Sequence, residues 1–120
     1  MAINLDMVSR SAANEIFAAG TYYTPWLVPL LEDVQRRSAV RIRLGHDRPA
    51  DRAGGLEDWT QSSDHGPFHE GGVPFVYFGV EDHGDHHKPS DTVDRIDPRF
   101  FGDTADMIVD AVRTFDTRVD

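Results

Sequence analysis

The sequence has no cysteine among its 120 residues. This absence excludes disulfides, thiol nucleophiles and cysteine-ligated zinc, so a bound metal ion has to be held by histidine, aspartate or glutamate. It leaves the cellular compartment undetermined, because cysteine-free domains occur both inside and outside cells.

Basic residues and long apolar runs are also scarce. The 12 Lys and Arg residues are outnumbered by 21 Asp and Glu residues, which gives a net charge of −9. A nucleic-acid partner would need clustered basic side chains, so we expect none. The apolar runs are well short of the roughly 20 residues that span a bilayer, and no basic stretch followed by an apolar one begins the sequence. We therefore expect a soluble chain without a membrane partner.

Four stretches have the composition of β-strands: residues 3–8, 15–19, 40–44 and 74–80. Residues 74–80 are almost wholly apolar and aromatic, which is typical of a central strand buried on both faces. Residues 40–44 alternate apolar side chains with Arg41 and Arg43, which indicates an edge strand. The Gly-, Pro-, Asp- and Arg-rich residues 45–58 predict a long surface loop.

Two helices are predicted between and after these strands. The first has Thr24 as its N-cap and Pro25 at its first position, and apolar residues at helical spacing follow. The second has Asp97 as its N-cap and Pro98 at its first position. Its apolar face is predicted to carry Phe101, Ala105, Ile108, Val112 and Phe115. Strands that alternate with helices predict one α/β layered domain over residues 1–120.

Four of the six histidines lie close together in sequence, accompanied by several carboxylates. These histidines are His65, His83, His86 and His87. Histidine and carboxylate are the ligand set for zinc in a protein without cysteine. The alternative is a solvated acidic loop with incidental histidines. A ligand role is favoured by position, because the cluster follows the predicted central strand at the end where α/β sheets bind their ligands.

Asp6 lies inside the predicted strand 3–8. A buried carboxylate without compensation costs several kcal/mol, so Asp6 should be protonated, paired with a cation such as Arg10, or bound to a metal ion. The residues alone leave a salt bridge and a metal site equally open.

Ser63, Asp64 and His65 are adjacent, which raises the possibility of a serine hydrolase. The sequence has no Gly-x-Ser-x-Gly motif, and the members of a catalytic triad come from separate segments. We therefore expect Ser63 and Asp64 to cap a turn. Four further residues are expected to pack or to lie on the surface rather than to bind substrate: Tyr22, Tyr23, His46 and Trp59.

Five motifs occur in a fixed order along the chain: NLDMV at 4–8, SDHGPF at 63–68, GVPFVYF at 72–78, HGDHHKPSDT at 83–92 and DRID at 94–97. Together they resemble peptidase family M28, the di-zinc aminopeptidases, whose relatives include carboxypeptidases, glutaminyl cyclases and inert receptor domains. The resemblance implies a layered α/β/α fold, of which this chain is the C-terminal portion, with a mixed central sheet flanked by helices.

The resemblance also implies roles for three residues. Asp6 matches the aspartate ligand of one zinc ion, and His87 matches the histidine ligand of the other. In such enzymes a glutamate removes a proton from a metal-bound water, which then attacks the peptide carbonyl. His86 stands where the family has a tyrosine that stabilises the oxyanion, so His86 is a candidate for that role. Lys88 replaces a residue that is commonly small or polar.

The family's other zinc ligands and its general base precede the Asn-Leu-Asp-Met strand. A catalytic zinc needs about three protein ligands and a water, and this chain offers one ligand to each ion. We therefore expect residues 1–120 to be the C-terminal part of one zinc-exopeptidase domain that is inactive alone and acts on peptide or aminoacyl substrates when complete. An inert peptidase-like binding domain is the alternative; a glutaminyl cyclase would have tryptophan at His86. Family members are often exported, and an uncovered first strand would favour self-association.

Overall fold

Four strands form one mixed sheet in the computed structural model, which describes residues 1–117. The strands are β1 (Ala2–Leu5), β2 (Glu15–Ala19), β3 (Arg41–Leu44) and β4 (Phe75–Gly79). The α-helices are α1 (Leu27–Arg37), α2 (Gly66–Glu70) and α3 (Pro98–Asp116), and short 3-10 turns occupy Ala50–Arg52 and Val93–Arg95. None of the described helices is long and apolar enough to cross a membrane.

The sheet order is β1-β4-β2-β3. β4 pairs in parallel with β1 and antiparallel with β2, and β2 pairs in parallel with β3. All five residues of β4 are buried, and β3 lies at an edge, so both of those predictions are confirmed. Because β1 and β4 run in the same direction, their carboxyl ends meet at one edge of the sheet, where Leu5 is paired with Phe78.

The two faces of the sheet are covered differently. Helices α1 and α3 pack on the face that includes Ile16, Val76 and Phe78. The opposite face buries Phe17 and Tyr77 beneath an irregular segment that contributes Trp59 and Leu56. The α/β class is confirmed, with both long helices on one face.

The start of α3 was predicted correctly. The Asp97 carboxylate accepts hydrogen bonds from the main-chain N–H groups of Arg99 at 3.1 Å and Phe100 at 3.2 Å, and Pro98 is the first helical residue. These bonds satisfy donors that have no partner within the helix.

The predicted start of α1 was two residues too early. The helix begins at Leu27, and its N-cap position is Trp26, whose side chain makes no capping bond. Thr24 and Pro25 belong instead to a turn in which Thr24 N–H donates to the Gly20 carbonyl at 2.9 Å. This turn connects the end of β2 to the helix.

The predicted buried face of α3 was only partly correct. Ile108 and Phe115 are buried, but Phe101, Ala105 and Val112 are exposed. The side chains that are buried instead are Phe100, Thr104, Met107 and Ala111. Since α3 carries apolar residues on more than one face, periodicity alone does not determine which face packs against α1 and the sheet.

Two predictions about burial near the sheet were wrong. β1 ends at Leu5, so Asp6 follows the strand and is exposed rather than buried. Conversely, the segment predicted as a surface loop begins with the buried residues Gly45, His46 and Asp47. Asp47 accepts hydrogen bonds from the Gly20 N–H at 2.6 Å and from Arg48 at 2.7 Å, and these partners compensate for its burial.

The turn after β2 requires glycine at position 20. A Cβ there would lie 2.3 Å from the Phe75 carbonyl oxygen, and φ is +124°. We expect Gly20→Ala to lower the free energy of unfolding by about 3 kcal/mol or more, because strain and a clash add. Gly72→Ala is the matched control: φ is +76° and no atom lies within 4 Å, so about 1 kcal/mol is expected. Urea unfolding measures both losses, and equal values would contradict the clash.

Candidate active site

A cavity of about 200 Å³ lies where β1 and β4 end. Asp6, His86 and His87, the three residues singled out by sequence, all line it. The other lining residues are Met7, Glu57, Trp59, Ser62, Tyr77, Val80 and Asp82. Trp59, which was expected only to pack, therefore forms part of the wall. We call this the site cavity.

Asp6 is held by a serine rather than by a cation. Its Oδ2 accepts a hydrogen bond of 2.7 Å from Ser63 Oγ, which in turn accepts one of 3.0 Å from Asn4 Nδ2. The salt bridge considered with Arg10 does not form, since that guanidinium pairs with Asp85. The turn-capping role predicted for Ser63 is not observed, because its hydroxyl bonds to the side chains of Asn4 and Asp6.

His65 continues this chain of hydrogen bonds into the core. The residue is fully buried, and its Nε2 lies 2.7 Å from the Trp59 carbonyl oxygen. A carbonyl only accepts, so Nε2 carries the proton and Nδ1 accepts from Asn4 Nδ2 at 3.2 Å. Burial lowers the pKa of His65, and the bond to the Trp59 carbonyl opposes this only in part. A neutral His65 therefore anchors a network that runs through Asn4 and Ser63 to Asp6.

One feature of the sequence indicates part of this network. Asn4 and Asp6 are two residues apart, and side chains at that spacing point to the same side of an extended chain. Both therefore face the segment that carries Ser63. The contact itself joins residues 57 positions apart, which spacing within β1 does not indicate.

Tyr77 lies in the floor of the site cavity. Its hydroxyl donates to the Asp6 main-chain oxygen at 3.3 Å. Burial, together with the charges of Asp6 and Asp82, raises the pKa of Tyr77 to about 12. The phenol thus remains a protonated donor at neutral pH, in surroundings that are electrically negative.

The two adjacent histidines enter the cavity from the loop after β4. Their rings are stacked with centroids 3.8 Å apart. His87 has a left-handed backbone with φ of 57°, and His86 Nε2 lies 3.7 Å from Asp82 Oδ1. The left-handed backbone costs a non-glycine residue energy, so the surrounding loop must hold His87 in place.

Arg10 and Ser90 fix that loop. The Arg10 guanidinium contacts the Asp85 carboxylate at 2.8 Å and also the ring of His83. Ser90 Oγ donates to Asp85 Oδ1 at 2.6 Å. The Ser90 hydroxyl and then Arg10 lower the pKa of Asp85 to about 2. Asp85 therefore remains ionised and able to hold both donors.

The described residues do not form a complete metal site. Within residues 1–117 no group of three or more His, Asp or Glu side chains is arranged to hold a metal ion. Asp6 and His87 line one cavity and have the chemistry that zinc prefers, but catalytic zinc has about three protein ligands and a water. This chain alone does not fit a complete zinc centre.

The buried His65 predicts a pH dependence of stability. Its pKa is lower in the folded protein than the value of about 6.5 in the unfolded chain. As pH is lowered, the unfolded state therefore binds this proton at a higher pH than the folded state does. The free energy of unfolding should fall as pH drops below about 6.5. Urea unfolding at about pH 7.5 and about pH 5.5 measures this fall. We expect this fall to be smaller in His65→Gln than in the wild-type chain, and to be the same as wild type in the control His69→Gln. A fall in His65→Gln as large as that of the wild-type chain would contradict the assignment.

Comparison with known families gives a match. The model of "Peptidase family M28" matches residues 1–112, which is nearly the whole chain. Comparisons with curated proteins and with solved structures returned no significant match. The matched region contains β1, β4, the loop between β4 and α3, and every residue of the site cavity. The chain therefore belongs to peptidase family M28.

Proposed function

We propose that this chain is part of a zinc-dependent aminopeptidase that releases N-terminal residues from peptides. One observation carries the proposal: Asp6 and His87, the residues that match zinc ligands of this family, lie far apart in sequence but line one cavity. Family M28 proteins are peptidases and are generally zinc-dependent. If the histidine-rich loop had no functional role, nothing would favour its position beside Asp6, whose carboxylate is held by a separate hydrogen-bond network.

The charge of the site cavity favours an aminopeptidase over a carboxypeptidase. Three acidic residues line it, Asp6, Glu57 and Asp82, and within residues 1–117 no Lys or Arg does. The α-ammonium group of a peptide is attracted to such surroundings, whereas an α-carboxylate is repelled. Glu57 and Asp82 are exposed, so water weakens their contribution without changing its sign.

The residues of this chain would have distinct roles in such a site. Asp6 would serve as a ligand whose orientation is fixed by Ser63, since hydrogen-bonded partners orient the ligands of metal ions. His87 would serve as a ligand from the opposite wall. His86, half-buried and stacked on His87, would donate a hydrogen bond to a developing oxyanion.

The remaining zinc ligands and the general base would come from polypeptide outside these 120 residues. This follows from the ligand count, because a catalytic zinc needs about three protein ligands and the cavity presents one match for each of two ions. On this proposal the isolated chain does not hydrolyse peptides, and the complete catalytic domain does.

A second candidate is a peptidase-like domain that binds partners without catalysis. It is favoured by the absence of any three-residue metal cluster within the described residues. It does not explain why Ser63 and Asn4 orient the Asp6 carboxylate toward a cavity that His87 shares.

Substitutions at Asp6 and its neighbours test the proposal in the complete enzyme. Asp6→Ala removes a ligand, so hydrolysis of aminoacyl-nitroanilides should fall below detection. Ser63→Ala removes only the group that orients Asp6, so we expect activity to fall about tenfold and remain measurable. Asp64→Ala is the control, because this exposed carboxylate adjoins Ser63 but does not line the cavity.

Steady-state kinetics at saturating zinc separate the outcomes. Full activity in Asp6→Ala would refute the proposed ligand role. Complete loss in Ser63→Ala together with retained activity in Asp6→Ala would instead support a serine hydrolase.

A further inference from the structure

His46 is enclosed by aromatic rings beside the site cavity. Its side chain is 2% exposed. The imidazole lies parallel to the indole of Trp59, with centroids 3.4 Å apart and an angle of 1° between the planes. Phe17 meets it edge-on at 4.4 Å. Because the ring is enclosed, its nitrogens do not hydrogen-bond to water, and each needs a hydrogen-bond partner within the protein.

Both ring nitrogens of His46 face hydrogen-bond acceptors. Nδ1 lies 2.6 Å from the Glu57 main-chain oxygen, and Nε2 lies 2.7 Å from Glu81 Oε1. A carbonyl oxygen and a carboxylate only accept, and a neutral imidazole has one N–H, so it satisfies only one of them. We infer that His46 is an imidazolium that donates to both, and that it is a positioning residue joining the two walls of the site cavity. The stacked indole of Trp59 favours a cation at this position.

The charges around His46 are consistent with a cation there. Glu81 is the charged side chain in direct contact with the ring. The neighbouring cations already have partners: Arg48 lies 2.7 Å from Asp47, and Arg43 lies 3.2 Å from Glu15. The Glu81 carboxylate, which is 55% exposed and solvated, is therefore free to balance the charge of the ring.

His46 reaches both walls of the cavity. On one side its ring contacts Glu57 and Trp59, and the main-chain N–H of Trp59 donates to the His46 carbonyl at 2.7 Å. On the other side it holds Glu81, which adjoins the cavity residue Asp82. The φ of 59° at His46 turns the chain so that its carbonyl and its ring contact the same segment. If His46 lost its positive charge, residues 57–59 on one side of the cavity would no longer be held to the residues that follow β4 on the other side.

The protonation state of His46 is measurable on the chain itself. Nitrogen-15 NMR distinguishes a ring with both nitrogens protonated from a neutral ring, and His46→Asn assigns the signal because Asn tolerates a left-handed backbone. At about pH 7 we expect both His46 nitrogens to be protonated. In Glu81→Gln the doubly protonated fraction should fall, whereas His69→Gln, which alters a histidine packed on Tyr23 and Phe75, should leave it unchanged. An unprotonated nitrogen in the wild-type ring would overturn the inference.

The positioning role is tested in the complete peptidase and rests on the proposed function. A displaced wall weakens substrate binding more than chemistry, so Glu81→Ala, which removes the side-chain partner of Nε2, should raise KM about tenfold and change kcat by less than about twofold. An unchanged KM would overturn the positioning role. Absence of activity in the wild-type peptidase would refute the proposed function instead, and the NMR result would then decide the inference about His46 by itself.

Discussion

The parallel pairing of β1 with β4 is the constraint on which the site depends. Both strands leave the sheet at the same edge, so Asp6 and the loop that carries His86 and His87 emerge side by side. The pairing continues past the strands, because Val80 N–H donates to the Met7 carbonyl at 3.0 Å. A slip of one residue would turn Asn4 and Asp6 to the other face of the sheet, away from Ser63. Register therefore determines whether a cavity with this composition exists.

Two hydrogen-bond networks hold the residues at that edge. In the core, burial favours the neutral form of His65, whose Nε2 donates to the Trp59 carbonyl and whose Nδ1 accepts from Asn4. Asn4 also donates to Ser63, and Ser63 donates to Asp6. At the rim, Arg10 and the ionised Asp85 hold the histidine loop. The first network orients a candidate ligand, and the second positions the candidate ligand opposite it.

Local patterns predicted the parts of the fold that local interactions determine. The apolar run of β4 and the Asp97 cap of α3 were predicted correctly, because the pattern and the structure involve the same few residues. The burial of His46 and Asp47 was not predictable, because their partners Glu81 and Gly20 lie more than 20 residues away in sequence.

The grouping of Asp6 with His86 and His87 in one site was predictable only through family resemblance. Composition and spacing left Asp6 open between a salt bridge and a metal site, and its actual partner is Ser63. The motifs identified Asp6, His86 and His87 together, and the structure places all three at one cavity. Their roles as ligands and oxyanion donor remain predictions, because spacing in a sequence does not determine coordination.

The zinc content of the complete peptidase tests the central claim most directly. Elemental analysis of the purified wild-type enzyme should give about two zinc ions per chain, and the isolated 120 residues should hold less than about one. Asp6→Ala and His87→Ala should each lower the content of the complete enzyme by about one ion, because each removes a ligand from a different ion. Two tightly bound zinc ions in both variants would contradict the account.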